Sequence, residues 1–268
     1  MNPSVRSKSF CKLPQIKEEI NFLNQKNIPV SFVAVAETWL KDFITDAQLH
    51  IDNYNLYRSD RVKSKNGGTL LYVHDSIVID SFSSYDDDTC NGVICLSNKS
   101  GCIISCVYRP PNACQTSFSL LLKFLDTFIT THNKLNKLSI LLFGDFNFPE
   151  ISWISNKVTE YSTPSAIILK SFVDNHLLTQ YVTESTRKSN VLDLFFSNDP
   201  NFVQFVDIKN IPFSDHNLLS IYTSFFSNNL GTDKDQPCNI FNDDSKCDFS
   251  KFNFSTTNFE AVNQEFDC

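Results

Sequence analysis

Seven short segments of the chain are apolar almost without interruption: Val30 to Ala36, Thr69 to Val73, Gly92 to Leu96, Cys102 to Tyr108, Leu138 to Phe143, Leu192 to Ser197 and Leu218 to Phe225. Each has the length of a β-strand. A strand wet on one face alternates polar and apolar residues, and several of these do not, so they must be covered on both faces. The covering layers are legible too. Leu13, Ile16, Ile20 and Leu23 recur at helical steps within Leu13 to Asn27, and Phe118, Leu121, Leu122, Leu125, Phe128 and Ile129 share one side of Ser117 to Asn133. A third helix is expected after Thr163-Pro164, where threonine suits the N-cap and proline the first helical position. Asn98-Lys99-Ser100-Gly101 reads as the turn of a hairpin between the third and fourth strands. The expectation is a layered α/β or α+β domain.

With 268 residues, 41% of them hydrophobic, the chain can build one large core. No apolar run approaches the ~18 residues that span a bilayer, and the start lacks the apolar region of a signal peptide, so an intracellular protein that is neither secreted nor membrane-bound is expected. The nine cysteines contain no C-x-x-C, and the histidines lack zinc spacing. Cys95, Cys102 and Cys106 sit inside apolar strands and read as reduced, buried thiols. A net charge of −7 argues against a basic coat for nucleic acid. Residues 231–268, however, carry eight acids against three bases, which leaves only −2 on the rest. From about Asn228 the chain is polar, rich in turn formers and without periodicity. The expected division is a folded domain over 1–227 and a polar linker or poorly ordered tail over 228–268.

Chemistry-bearing residues gather at the ends of the apolar strands. Glu37 follows Val33 to Ala36, and Tyr108-Arg109-Pro110-Pro111 ends another strand. Gly144-Asp145-Phe146-Asn147 places a carboxylate and a carboxamide two residues apart, on one side of an extended segment. Such a pair can bind a hard cation or activate water, although an Asx turn uses the same residues. Ser214-Asp215-His216 precedes the last strand, where it could equally be a cap. Asp193 lies within an apolar strand, a costly position for a charge unless it is paired, and a histidine is its most economical partner.

Glu37, Tyr108, Asp145 with Asn147, Asp193, and Asp215 with His216 occur together in one order. In this the chain resembles the endonuclease/exonuclease/phosphatase superfamily. Ala36-Glu37-Thr38-Trp39-Leu40, Tyr57 to Arg61 with Gly67-Gly68, Val107 to Pro111, Gly144 to Pro149 with Ile151-Ser152-Trp153, Thr186-Arg187 and Ser214-Asp215-His216 resemble the endonuclease domain of non-LTR (LINE-type) retrotransposon proteins, over about Val5 to Phe226.

The resemblance implies a deoxyribonuclease I-like four-layer sandwich, two facing mixed β-sheets flanked by helices, with the site at one end between the sheets. It implies that Glu37, supported by Asp215, holds Mg²⁺, with Mn²⁺ as an alternative. Asp145 would position and deprotonate the attacking water, Asn147 orient it and the scissile phosphate, Tyr108 donate to a phosphate oxygen, and His216, held by Asp193, donate to a non-bridging oxygen or assist proton transfer. Arg109, Arg58, Arg61 and Arg187 would contact DNA phosphates, although any one of them could equally form a surface ion pair. The implied reaction is nicking of DNA to leave a 3′-hydroxyl, with no small-molecule cofactor, in an intracellular and even nuclear setting.

The tail resembles the start of a linker that precedes reverse transcriptase in such polyproteins, a domain expected in a full-length relative and not expected within these 268 residues. Family members normally open with one more strand, ending in a metal-binding asparagine, before an Arg-Ser pair and a lysine-containing helix start. Val5-Arg6-Ser7 resembles that pair, the aligned position falls nearest Ser4, with Asn2 close by, and an N-terminal strand is expected to be missing. Two rival readings follow: an inactive retroelement remnant that at most binds DNA or protein, and a phosphatase-type member of the superfamily.

Overall fold

The computed structural model describes residues 12–223, except 62, 64–65, 136, 154–156 and 159–162. Its elements run α1 (Leu13–Gln25), β1 (Phe32–Ala36), α2 (Asp46–Leu49), β2 (Tyr54–Ser59), β3 (Thr69–His74), β4 (Ser81–Asp86), β5 (Asn91–Ser97), β6 (Cys102–Tyr108), α3 (Gln115–His132), β7 (Ser139–Asp145), β8 (Ile151–Ser152), β9 (Lys157–Val158), α4 (Pro164–Asn175), β10 (Thr179–Gln180), β11 (Asp193–Ser197), β12 (Val203–Lys209) and β13 (Leu218–Thr223).

A mixed six-stranded sheet, β10-β11-β7-β6-β5-β4, has one parallel pair, β6 with β7, joined by the crossover helix α3. Facing it are the antiparallel sheet β1-β3-β2 and the hairpin pair β12-β13, while β8 and β9 form a small ribbon. Among the described residues β1 pairs only with β3, and β13 only with β12. The expectations for Asn2, Ser4 and Val5-Arg6-Ser7, and for the tail 228–268, lie outside the described residues.

Three separate apolar clusters show how the layers stack. One lies between α1 and the outer face of β1 and β3 (Ile16, Ile20, Val33, Val35, Leu70, Tyr72), with Leu218 joining it. A second fills the space between the sheets (Ala34, Leu71, Val73, Val93, Cys95, Ile104, Cys106, Leu141, Phe195, Leu219). The third packs α3 and α4 on the far face of the large sheet (Ile94, Ile103, Leu142, Leu194 and Phe196 with Phe118, Leu125, Leu169). Successive residues of one strand, such as Val33 and Ala34 or Ile103 and Ile104, go to different clusters. Both faces are therefore apolar, which is why these strands carry no polar alternation. Three interfaces make four layers, in the order helix, sheet, sheet, helices, as expected.

Local signals act as the sequence implies. Thr163 Oγ1 accepts from Ala166 N at 3.2 Å to cap α4, whose first residue is Pro164. Gly101 N donates to Asn98 O at 3.1 Å in the β5–β6 turn. Cys90, Cys95, Cys102 and Cys106 are buried free thiols, and burial pushes Cys90 and Cys102 up to about 12, which keeps them unreactive. Among the described residues no helix is long and apolar enough to cross a membrane.

Candidate functional site

The site is built by strand register. Asp193 lies opposite Asp145, Asp145 beside Tyr108, and Tyr108 opposite Asn91, a row across β11, β7, β6 and β5. Side chains alternate faces along a strand. Since Phe195, Leu141, Cys106 and Val93 point between the sheets, so do Asp193, Asp145, Tyr108 and Asn91. Four polar side chains thus end the inter-sheet core along one edge. Glu37 enters from the opposite sheet immediately after β1, its backbone turned by a positive φ of 53°, and the Tyr108 hydroxyl donates to Glu37 Oε1.

His216, just before β13, closes the row. Its Nδ1 donates to Asp193 Oδ2 at 2.8 Å, and both side chains are buried. Burial opposes the imidazolium charge, but Asp193, with Asp145 behind it, prevails and His216 is pushed up to about 9. Thr186 fixes the geometry from below: its Oγ1 accepts from Leu192 N and Asp193 N, each at 3.0 Å, and its carbonyl accepts from Asn217 N at 2.7 Å. Asp145 is raised well above the ordinary carboxylate range, first by burial and then by Asp193. Burial likewise raises Glu37, more than the Tyr108 hydrogen bond lowers it.

The loop after β7 is held by a reciprocal clamp. Arg109 Nη1 donates to Phe146 O (3.2 Å) and Asn147 O (3.0 Å), its guanidinium lies 3.9 Å from the Phe148 ring centroid, and Asn147 Nδ2 returns a bond to Arg109 O (2.9 Å). Asp145 Oδ1 accepts from Asn147 N at 3.1 Å, so the Asx-type turn is present, and it orders the pair. A Cβ on Gly144 would come 2.2 Å from Val107 O, which explains the glycine before the aspartate.

The four arginines separate. Arg109 and Arg61 turn inward and are 5% exposed, bound to main-chain carbonyls, so neither presents its guanidinium to a phosphate as expected. A strand-end arginine can turn inward and bond the carbonyls of a neighbouring segment, Thr89 for Arg61 and Phe146 with Asn147 for Arg109, which residue type alone does not reveal. Arg58 pairs with Asp46 (3.2 Å) and Asp60 (3.4 Å) and donates to Ile44 O, away from the row. Arg187 alone of the four stays at the rim, paired with Asp215, whose charge in turn bears on Glu37.

Three residues were not singled out as site residues. Asn91 precedes an apolar strand as Glu37 follows one, a signal of the same kind. Thr186 was visible as part of Thr186-Arg187. Lys12, at the start of α1, is buried and lowered by that burial to about 8, with Asp215 opposing, and nothing in its local sequence marks it.

The donor set suits a hard divalent cation: Glu37, Asp145, Asp193 and Asp215 offer carboxylate oxygens. Asp193 Oδ1, fully buried, has no hydrogen-bond partner among the described residues. One ligand atom each from Asp145, Asp193 and His216 lies within 4.8 Å of the others. A charged imidazole cannot ligate metal, so with His216 held in its protonated form by Asp193 the carboxylates are the groups left to hold a cation.

Residues 102–220, from β6 into β13, match the family model described as Endonuclease-reverse transcriptase. No curated protein matches the chain by sequence. Among solved structures, the 3′ phosphatase NExo from Neisseria bound to product DNA hairpin is 15% identical, covering 80% of this chain and 94% of that one at a TM-score of 0.56. The endonuclease domain of TRAS1, a telomere-specific non-LTR retrotransposon, is 12% identical over 82% and 94%, TM-score 0.52. The mannosyl-6-phosphatase of Bacteroides thetaiotaomicron is 12% identical over 80% and 91%, TM-score 0.51. At such identities the likeness is one of fold. Taken together, the family match over residues 102–220 and the four-layer fold make this chain similar to endonuclease/exonuclease/phosphatase proteins, among them the endonuclease domain of a non-LTR retrotransposon.

Proposed function

We propose that the chain is a Mg²⁺-dependent phosphodiester hydrolase that nicks DNA and leaves a 3′-hydroxyl, the endonuclease part of a retrotransposon-derived protein. The observation that carries this reading is the buried row Asp193–Asp145–Tyr108, with His216 bonded to Asp193 at one end and Glu37 bonded to Tyr108 from the facing sheet. Glu37 and Asp215 would hold the cation, Mg²⁺ or Mn²⁺, which when bound would neutralise phosphate charge. Asp145, held above the usual carboxylate range, is a stronger proton acceptor than an exposed aspartate and takes the proton of the attacking water. Asn147, fixed by Arg109, orients that water. As the bond from phosphorus to the 3′-oxygen breaks, His216, kept charged by Asp193, would give a proton to the departing oxygen to leave the 3′-hydroxyl, while Tyr108 would donate to a non-bridging phosphate oxygen. Arg187 contacts a flanking phosphate at the rim. In this reading the endonuclease-like domain is assigned to residues 1–227 and a polar linker or tail to 228–268, and the protein acts inside the cell, with the nucleus as one setting.

Supercoiled plasmid with Mg²⁺ tests this. Nicking that disappears in Asp145→Ala and His216→Ala supports it, and a well-folded chain without metal-dependent nicking refutes it. The superfamily also contains phosphatases, so a phosphomonoester substrate assayed in parallel separates the two hydrolytic readings.

A further inference from the structure

The segment Arg61 with Gly67-Gly68 takes no part in the chemistry above, yet it lies against the site. Arg61 follows β2 and is buried. Its Nε donates to Asn91 Oδ1 at 3.0 Å, its Nη2 donates to Thr89 O, and its guanidinium sits 5.4 Å from the Tyr108 ring centroid. Among the described residues it forms no carboxylate pair. Asn91 Oδ1 also accepts from Gly68 N at 2.9 Å, and Asn91 Nδ2 donates to Asp86 Oδ1 at 3.0 Å, so the carboxamide is used at both ends. The glycines pass the connection on. Gly68 O accepts from Thr38 N (3.2 Å) and Gly67 O from Trp39 N (2.7 Å), the two residues after Glu37. Only glycine serves there. Both have positive φ, a Cβ on Gly67 would lie 2.3 Å from Arg61 Cζ, and one on Gly68 would lie 2.5 Å from Thr38 Oγ1.

These contacts cross between the two sheets. Arg61, Gly67, Gly68 and Glu37 flank the strand ends of the sheet β1-β3-β2, whereas Asn91 and Tyr108 are register partners in the six-stranded sheet. We propose that Arg61 and Asn91 are positioning residues: through Gly67-Gly68 they fix the turn that presents Glu37, and through the Tyr108 ring they fix the hydroxyl that meets it, setting how far the Glu37 carboxylate stands from Asp145 and Asp193. The inference rests on the proposed role of Glu37 as a metal ligand. A planar guanidinium suits the task because one group makes two directed bonds and still lies over a ring, and a lysine ammonium cannot reproduce that fork.

The test uses the full chain with Arg61→Met, the milder Arg61→Lys, and Ile129→Val, a core truncation on α3 remote from the site. Mn²⁺ affinity is measured by calorimetric titration, and protection of the Thr38 and Trp39 amides by hydrogen exchange. Expected are about tenfold weaker Mn²⁺ binding and local loss of Thr38 and Trp39 protection in Arg61→Met, the same direction but smaller in Arg61→Lys, and neither in Ile129→Val. In nicking assays the loss should fall on kcat with the KM for DNA unchanged. Wild-type Mn²⁺ binding with unaltered affinity in both arginine variants overturns the inference alone. A wild-type chain that binds no Mn²⁺ overturns the metal reading and the inference with it.

Discussion

Replacing Asp193 by asparagine tests the relay most directly, because shape and volume are kept while the charge behind His216 is removed. The imidazole is raised from 6.5 to about 9, and each tenfold gain in proton affinity is worth about 1.4 kcal/mol, so the charged pair contributes on the order of 3 kcal/mol. The pair is buried and needs no discount for solvent screening. The folded-state value lies above the unfolded one, so this stability is fully present below pH 6.5 and is lost as pH rises through about 9. Urea denaturation of the metal-free protein at about pH 6 should therefore show Asp193→Asn less stable by up to roughly 3 kcal/mol, and at about pH 9.5 much of that difference should be gone. Relief of Asp145, which Asp193 pushes upward, makes the figure a ceiling. In plasmid nicking kcat should fall by about 10²- to 10⁴-fold, the usual range for a positioned acid or base. An equal stability loss at both pH values, or undiminished nicking, would refute the pairing argument.

Other perturbations give distinct readouts. Arg109→Met removes both bonds to the loop carbonyls and the contact with Phe148. It should cost on the order of 2–3 kcal/mol in denaturant titrations and reduce kcat more than DNA affinity, and a purely neutral phenotype would contradict the clamp. Arg187→Ala should lower the salt dependence of DNA binding by about one phosphate contact, whereas Arg58→Ala, already neutralised by Asp46 and Asp60, should leave the slope alone; fluorescence anisotropy across a salt series decides. Asp60 is raised to about 6, chiefly by burial against the pull of Arg58, so the wild type should lose stability as pH rises from about 4 through 6. Asp60→Asn should flatten that part of the pH profile, and an unchanged profile would show that Asp60 is not the group responsible.

The parts of the fold legible in the sequence were those whose residues face a single kind of environment. β6 appears over Cys102–Tyr108 as read, and the other apolar strands agree within a few residues at their ends, because each is covered on both faces. β2, β4 and β12 escaped notice. They are edge strands with polar or exposed positions, burial alternating residue by residue along Ser81–Asp86, and such a strand looks like a loop until its partner is known. α2 is four residues long, too short to show a period. The catalytic candidates were legible for the complementary reason: a carboxylate beside a continuous apolar run has no cheap resting place, so Asp145 and Asp193 stand out without any knowledge of register. What sequence could not supply was the direction of long side chains. Arg61 and Arg187 occupy similar contexts, yet one ends inside the molecule and the other at the rim.

That difference bears on how a chain with little positive charge can engage DNA. Two of the four arginines read as phosphate contacts are spent on main-chain carbonyls inside the protein, and a third is neutralised by two aspartates. At the row itself, four carboxylates stand against His216, Arg187 and the buried Lys12, so a phosphate arriving alone would meet net repulsion. Burial first, and then this excess through Asp193, raises Asp145, and Asp215 adds a smaller push to the burial that raises Glu37. A divalent cation reverses both effects at once: it relieves the repulsion among the carboxylates and presents positive charge to one phosphate. Attraction to DNA would then be concentrated at the scissile position and be weak along the rest of the backbone. Under the proposed function the cation would take part in substrate recognition as well as chemistry, and shape at the rim, more than a basic coat, would be left to choose where the strand is cut.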